Sequence, residues 1–176
     1  MSLKEAISVK HKEAENTAFN KKLINGELDA YQYVNYLYEM LAVFSTLEGR
    51  MAEEIPGDMK RSLKIRVDIS EIVAVEDLDF TKLNSKTLDS TVKYCEYLET
   101  VEDLWPHVYL NYMAILFGGQ AIKKVVPGNG RFYYFDNPGE YITFIRAKQK
   151  DEWAEEVNKG FDYIIKIYNE LYDVNL

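Results

Sequence analysis

The chain has 176 residues, of which 47% are hydrophobic and 28% are charged. This length and composition predict one packed globular domain over residues 1–176 and argue against intrinsic disorder. The chain carries 21 lysines and arginines against 29 aspartates and glutamates, a formal net charge of −8. Because phosphate binding needs a basic surface, this balance argues against sequence-independent binding to DNA or RNA.

Few residues are available for disulfides, metal sites or membrane segments. Cys95 is the single cysteine, so no internal disulfide can form and a reducing compartment is expected. His11 and His107 are the two histidines, too few to build the common zinc sites with Cys95. The longest apolar run, residues 112–117, is far shorter than the ~20 residues of a membrane span. Since the charged amino terminus also lacks a secretory signal, the chain is predicted to be cytoplasmic.

Apolar residues recur with the period of an α-helix through most of the chain. The first long helix begins after Asp29, its expected N-cap, and is expected to end at Pro56-Gly57. One face of this helix carries Tyr33, Val34, Leu37, Leu41 and Phe44. The same period marks further helices at residues 88–98, 106–125, 137–145 and 153–171. Only residues 72–75 and 132–135 resemble strands, so the expected fold is one all-α domain of about seven helices.

The predicted helix over residues 106–125 contains Gly118-Gly119. Each glycine in a helix interior costs about 1 kcal/mol relative to alanine. The pair can mark a packing contact, or it can mark a bend that lets a flat ligand approach the backbone closely. The two glycines alone do not decide between these interpretations.

Two motifs give the chain a resemblance to a known family. The first is His11-Lys12-Glu13-Ala14-Glu15-Asn16, followed by Phe19 and Gly26. The second begins at Pro106-His107-Val108-Tyr109 and continues through Leu116-Phe117-Gly118-Gly119-Gln120 to Lys124. Together with the segment 33–48 between them, these motifs resemble those of the heme oxygenases in order and in spacing. The resemblance spans nearly the whole chain and implies a multihelical bundle with heme b between a proximal helix and a kinked distal helix.

The resemblance assigns roles to individual residues around the heme. His11 matches the axial iron ligand, and Glu15, one helical turn later, can accept a hydrogen bond from its other ring nitrogen. Lys4, Tyr109 and Arg146 match residues that hold the heme propionates, with Lys148 as an additional cation. His107 matches a position that is not a ligand. The expected apolar walls of the heme pocket are Ala14, Phe19, Val34, Leu116 and Phe117.

The distal side departs from the family pattern. Ile115, Asn111 and Phe44 stand where many members have an aspartate, an arginine and a tyrosine, and Ala114 and Phe117 replace smaller residues. The backbone of Gly118 and Gly119 is expected to crowd bound oxygen, while Asn111 and main-chain carbonyls hold the waters that supply protons. On this interpretation the protein cleaves heme with O2 and external electrons into biliverdin, carbon monoxide and ferrous iron. Alternatively, the pocket is too dry for ring opening, and the protein is a heme chaperone or sink.

The sequence contains no flavin or iron–sulfur motif, so the electrons must come from another protein. Ferredoxin is the expected donor, and because ferredoxin is acidic its docking requires a local basic patch. The candidate residues are Lys10, Lys12, Lys21, Lys22, Lys123, Lys124 and Arg131. A third interpretation is a thiamin-salvage hydrolase of similar all-α topology with Cys95 as nucleophile, although Cys95 lies on an apolar helical stripe typical of a core residue.

Overall fold

The chain forms an all-helical domain with the core between the helices. A computed structural model describes residues 1–174, and no β-strand occurs within that range. The α-helices are α1 (Leu3–Ala6), α2 (Ser8–Glu15), α3 (Ala18–Ile24), α4 (Ala30–Arg50), α5 (Ser62–Val75), α6 (Asp89–Thr100), α7 (Trp105–Phe117), α8 (Gly119–Ile122), α9 (Pro138–Arg146) and α10 (Ala154–Val174). Short 3-10 turns lie at Phe80–Lys82, Arg131–Tyr133 and Asp151–Trp153. The expected all-α class is confirmed.

Two long helices organise the bundle. Helix α4 packs against α5 and α6, while α10 packs against α2, α3, α6 and α7. The apolar period expected for α4 is confirmed, since Tyr33, Leu37 and Phe44 on one face are at most 1% exposed. Helix α10 contributes Val157, Ile167 and Leu171 to the same core, each of them fully buried. Helix α10 therefore contacts both α2 and α7, which line the cavity described below.

Helix α4 begins as expected and ends earlier than expected. The Asp29 carboxylate accepts a 2.9 Å hydrogen bond from the Gln32 backbone N–H, and the Gln32 side chain accepts the reciprocal bond from Asp29. This capping box satisfies two backbone donors at the helix start. The carboxyl end lies at Arg50, before Pro56, and the Arg50 guanidinium donates 2.7 Å hydrogen bonds to carbonyls of the α6 end at Leu98 and Val101.

The two strand predictions are wrong, for different reasons. Residues 72–75 continue α5, because Ile65, Ile69 and Ile72 keep one buried face at helical spacing. Residues 132 and 133 belong to the 3-10 turn Arg131–Tyr133, and residues 134 and 135 continue from it without pairing as a strand. There the Asp68 carboxylate accepts hydrogen bonds from the backbone N–H groups of Arg131 and Phe132, at 3.1 and 2.8 Å. A side-chain carboxylate thus replaces the ladder partner that a strand would need.

The helix predicted for residues 106–125 is interrupted at the glycine pair. Helix α7 ends at Phe117, Gly118 lies between the two helices, and α8 starts at Gly119. A Cβ on Gly119 would lie 2.6 Å from Cδ1 of Tyr133, a distance that real Cβ atoms do not tolerate. Gly119 therefore has a packing role against Tyr133. This break, and the division of the amino-terminal region into α1–α3, give ten α-helices within residues 1–174 where about seven were expected.

A buried carboxylate joins three helices. Glu48 on α4 accepts hydrogen bonds from the backbone N–H groups of Arg61 and Ser62 at the start of α5, and from the Ser62 hydroxyl. It also accepts a 2.8 Å hydrogen bond from the Tyr112 hydroxyl on α7. Since the first N–H groups of a helix have no partner within the helix, Glu48 acts as the cap of α5.

Within residues 1–174, no helix is both long enough and apolar enough to cross a lipid bilayer.

Candidate functional site

A cavity of about 180 Å³ opens between α2, α4, α7 and α10. Helix α2 contributes His11, Ala14 and Glu15, and α4 contributes Tyr36, Met40 and Phe44. Helix α7 contributes Tyr109, Leu110, Asn111, Ala114 and Ile115, and α10 contributes Phe161, Ile164 and Tyr168. The lining is thus mostly apolar and aromatic, with few polar groups, as is typical of small-molecule sites.

The His11 imidazole lies at the edge of this cavity, next to a carboxylate. Its Nδ1 is 3.5 Å from Oε1 of Glu15, and its side chain remains 54% exposed. The ring also packs edge-on against Phe161 of α10, with the centroids 5.7 Å apart. The one-turn spacing of His11 and Glu15 on α2 produces this pair. An imidazole whose one nitrogen faces a carboxylate has its other nitrogen available as a metal ligand.

The side of the cavity formed by α4 and α7 is largely apolar. Phe44 is 1% exposed and Ile115 is 6% exposed. Ala114 lines the same side and is the more exposed of the two neighbours on α7. The polar side chain here is Asn111, which is 6% exposed. The structure thus brings Phe44, Asn111 and Ile115 to one side of the cavity. These are the positions at which many family members have a tyrosine, an arginine and an aspartate.

The Asn111 side chain belongs to a buried polar network. Its Nδ2 donates hydrogen bonds to the Tyr94 hydroxyl at 3.0 Å and to the His107 carbonyl at 2.9 Å. The His107 ring bonds Tyr94 through Nδ1 and Glu156 through Nε2, both at 2.9 Å. Burial lowers the pKa of His107. The pKa of Glu156 is also lowered, because hydrogen bonds from Tyr97 and His107 outweigh the effect of its burial.

The residues predicted to hold the heme propionates differ in their position relative to the cavity. Tyr109 lines the cavity and packs against Trp153, with ring centroids 6.3 Å apart. Burial raises the pKa of Tyr109, and the nearby charge of Arg146 opposes this increase. The Arg146 guanidinium also lies 5.6 Å from the Phe117 ring centroid. Lys4 is exposed on α1 and does not line the cavity, so Tyr109 and Arg146 are brought together and Lys4 is not.

Other predicted residues also lie outside the lining. Phe19 is 1% exposed and packs between Tyr36 and Tyr168, with ring centroids 5.7 and 5.6 Å away. Gly118 is exposed and Gly119 packs against Tyr133. Four further residues predicted as walls or as an extra cation lie outside it as well: Val34, Leu116, Phe117 and Lys148. The Lys148 ammonium lies 5.3 Å from the Trp105 ring centroid.

Sequence reasoning missed eight lining residues: Ile7, Asn20, Tyr36, Met40, Leu110, Phe161, Ile164 and Tyr168. The last three share one face of α10 because they are spaced by three and four residues. That spacing is visible in the sequence, but it is the same for a residue facing a cavity and a residue facing the core. A residue that faces the cavity can be told from one that faces the core only by the packing of α10 beside α2. The contact between the His11 and Phe161 rings is part of this packing.

The thiol of Cys95 lacks the surroundings of a nucleophile. Cys95 is half-buried and free, and burial raises its pKa. A catalytic thiol has a lowered pKa, produced by nearby positive charge or a helix amino terminus. The structure therefore gives no support to the hydrolase interpretation.

The fold and the cavity define a class: an all-helical protein with one imidazole, oriented by a carboxylate, at the edge of an apolar cleft between helices. The heme oxygenase family model matches residues 1–159, and the chain belongs to the heme oxygenase family. It is 28% identical to heme oxygenase 2 of Rattus norvegicus over 96% of this chain and 64% of that protein, so it spans less than two thirds of that relative. It is 23% identical to heme oxygenase of Guillardia theta over 97% of this chain and 85% of that one.

Two solved structures share the fold. Heme oxygenase from Leptospira interrogans superposes with a TM-score of 0.80 at 22% identity, covering 97% of this chain and 100% of that one. Heme oxygenase-1 from the cyanobacterium Synechocystis, solved in complex with heme, gives a TM-score of 0.78 at 22% identity. That superposition covers 96% of this chain and 90% of the cyanobacterial one. These matches confirm the multihelical architecture expected from the sequence.

Proposed function

We propose that the protein is a heme oxygenase that converts heme, O2 and reducing equivalents into biliverdin, carbon monoxide and ferrous iron. The observation that carries the proposal is the His11–Glu15 pair at the edge of the apolar cavity. Neutral imidazole is a common axial ligand of heme iron, and a carboxylate on its other nitrogen fixes the ring plane and raises its basicity. Membership of the family and the cavity lining support the same function.

The residues present fit a heme chemically. The lining is apolar, as a porphyrin face requires, and buried apolar area contributes roughly 25 cal/mol per Å². Tyr109 and Arg146 at the rim supply a hydroxyl and a cation for the propionates, and Lys4 is proposed as a second cation. When bound, the heme supplies the iron that activates O2 and the ring that is oxidised.

Heme binding requires the cavity to widen. Its volume of about 180 Å³ is below the ~300–1,000 Å³ of typical ligand sites. The break between α7 and α8 at Gly118 is a place where the backbone can bend, because Gly118 is exposed and has no side chain to repack. The Gly118 and Gly119 backbone at this bend is proposed to limit the space open to oxygen in the widened cavity.

Asn111 is the proposed polar group on the α7 side of the cavity. Its amide nitrogen is held by Tyr94 and His107, whereas its carbonyl oxygen takes part in neither bond. That oxygen can accept a hydrogen bond from a water in the cavity, which would hold the water in place. Because the network continues through His107 to Glu156, the amide orientation is fixed before any ligand binds.

The electron donor is proposed to be ferredoxin. Of the seven basic residues suggested for docking, Lys10 pairs with Glu13 and Asp162, and Arg131 pairs with Glu71. Lys12 follows His11 directly on α2 and Lys21 lies on α3, and both are exposed, so they are the stronger candidates. Docking of an acidic donor there should weaken with ionic strength. The free thiol of Cys95 supports a reducing compartment such as the cytoplasm.

Hemin titration followed by turnover tests the function. Hemin should produce a Soret band that His11→Ala abolishes, and Glu15→Gln should weaken hemin affinity by about 10–100-fold, the range for outer-shell partners. Glu13→Gln on the same helix is the matched control and should leave affinity unchanged. With ascorbate or ferredoxin under air, biliverdin absorbance should then appear. Unaltered hemin binding in His11→Ala would contradict the proposal.

The second candidate is a heme-binding protein that does not open the ring. It is favoured by the apolar character of Phe44, Ala114 and Ile115 at the cavity. A Soret band without biliverdin would support it. Ile115→Asp then separates the two functions, because turnover gained by this variant would show that the natural cavity lacks a proton path.

A further inference from the structure

Two tyrosines missed by sequence reasoning line the cavity from helices outside α7. Tyr36 lies on α4 and is 3% exposed, and Tyr168 lies on α10 and is half-buried. Their ring centroids are 6.4 Å apart, and Phe19 packs against both rings. Phe19 thus packs against both phenol rings and is buried, although it does not line the cavity itself.

A third phenol is joined to this pair. The Tyr133 hydroxyl donates a 3.1 Å hydrogen bond to the Tyr36 hydroxyl. Tyr36 in turn packs beside Tyr168, with the ring centroids 6.4 Å apart. Tyr168 lines the cavity and is the least buried of the three phenols, so its hydroxyl can donate to a group in the cavity.

All three phenols keep their protons near neutral pH. Burial raises the pKa of Tyr36 and Tyr133 well above the usual 10.0. Burial also raises the pKa of Tyr168 to about 12, even though the hydrogen bond from Tyr36 lowers it. A phenol that stays protonated remains a hydrogen-bond donor.

The position of Tyr133 depends on the glycine pair. Its ring occupies the space in which a Cβ on residue 119 would lie, 2.6 Å from Cδ1. Phe132 packs beside Tyr133 and Phe44, with ring centroids 4.7 and 5.2 Å away. Tyr133 is therefore held between the start of α8 and the aromatic core, with its hydroxyl directed to Tyr36.

We propose that Tyr168, aligned by Tyr36 and Tyr133, is a positioning residue that donates a hydrogen bond to a small polar ligand held in the cavity. The phenol series would thereby supply a donor in a cavity where Ile115 and Phe44 provide none. The proposal rests on the proposed function, in that the cavity would hold the ligand beside a heme bound through His11. Tyr168 lies beyond residues 1–159, the part matched by the family model.

Azide and carbon monoxide binding to the hemin-loaded protein test the proposal. Azide accepts hydrogen bonds well and carbon monoxide accepts them poorly, so loss of a donor should affect azide selectively. Tyr168→Phe should raise the azide Kd about fivefold, the size expected for one hydrogen bond, and should change the carbon monoxide Kd less than twofold. Tyr36→Phe should raise the azide Kd by a smaller factor, because it removes the alignment but keeps the final hydroxyl.

The matched control is Tyr163→Phe, which removes a phenol from the same helix. Tyr163 stacks on Tyr94 with centroids 4.9 Å apart and does not line the cavity. An unchanged azide Kd in Tyr168→Phe, or an equal increase in Tyr163→Phe, would overturn the proposal. If Tyr168→Phe does not fold, the selective effect of Tyr36→Phe decides. Failure of hemin to bind the unaltered protein would instead contradict the proposed function, so the two failures can be distinguished.

Discussion

Replacing Gly119 by alanine should destabilise the protein although alanine favours helices. The new Cβ would lie 2.6 Å from Cδ1 and 3.3 Å from Cβ and Cγ of Tyr133, whose side chain is 1% exposed. Either the Tyr133 ring or the start of α8 must move, and overpacking of this kind costs about 1–3 kcal/mol. The helix propensity gain of at most ~1 kcal/mol offsets part of that cost. We therefore expect a net loss of about 1–2 kcal/mol.

The matched control is Gly49→Ala near the end of α4. A Cβ on Gly49 would have no neighbour within 4 Å, so only the propensity gain applies and stability should rise by up to about 1 kcal/mol. Urea unfolding followed by circular dichroism gives both free energies of unfolding under the same conditions. In a Tyr133→Val background the space beside residue 119 is vacated, so Gly119→Ala should then cost less than in the natural chain.

The reasoning would be refuted if Gly119→Ala and Gly49→Ala shifted the free energy of unfolding in the same direction. It would also be refuted if the cost of Gly119→Ala were the same with and without the Tyr133 ring. Either result would mean that the Tyr133 ring does not set the requirement for glycine at position 119.

Two further predictions concern buried polar groups. Glu48→Ala should lower the free energy of unfolding by about 3 kcal/mol in urea titrations, because it leaves the start of α5 and the Tyr112 hydroxyl without their acceptor. The exposed Glu53→Ala should change it by less than about 0.5 kcal/mol. The folded protein holds the His107 pKa below its usual 6.5, so the unfolded chain binds a proton first as the pH falls, and stability should decrease below pH 6.5. His107→Gln should reduce this slope by up to ~1.4 kcal/mol per pH unit, and equal slopes in the two proteins would contradict the assignment.

The sequence was sufficient for several of the helices and insufficient for the cavity. Asp29 and its capping box, the start of α9 at Pro138 and the buried face of α4 follow from local rules. The false strand at residues 132–135 came from an aromatic run whose backbone is held by Asp68, 64 residues away from Phe132. Such a contact has no local signal.

Part of the candidate site was likewise predictable from the sequence, and part was not. The His11–Glu15 pair was predictable because both residues lie on one helix, one turn apart. The apolar walls of the cavity were not predictable. Phe19, Val34 and Leu116 are apolar residues at helical spacing, as are the residues that line the cavity. The roles of Gly118, Gly119, Asn111, Lys4 and Arg146 toward heme stay predictions.

The two glycines of the pair have different surroundings. Gly118 is exposed and separates α7 from α8, whereas Gly119 is buried against Tyr133. Because the Tyr133 hydroxyl donates to Tyr36 at the cavity, a displaced Tyr133 ring would also misalign Tyr168. Gly119→Ala should therefore raise the azide Kd of the hemin-loaded protein, while Gly49→Ala, which changes stability alone, should leave it unaltered. An effect on stability without any effect on azide would separate the packing role of Gly119 from the phenol series.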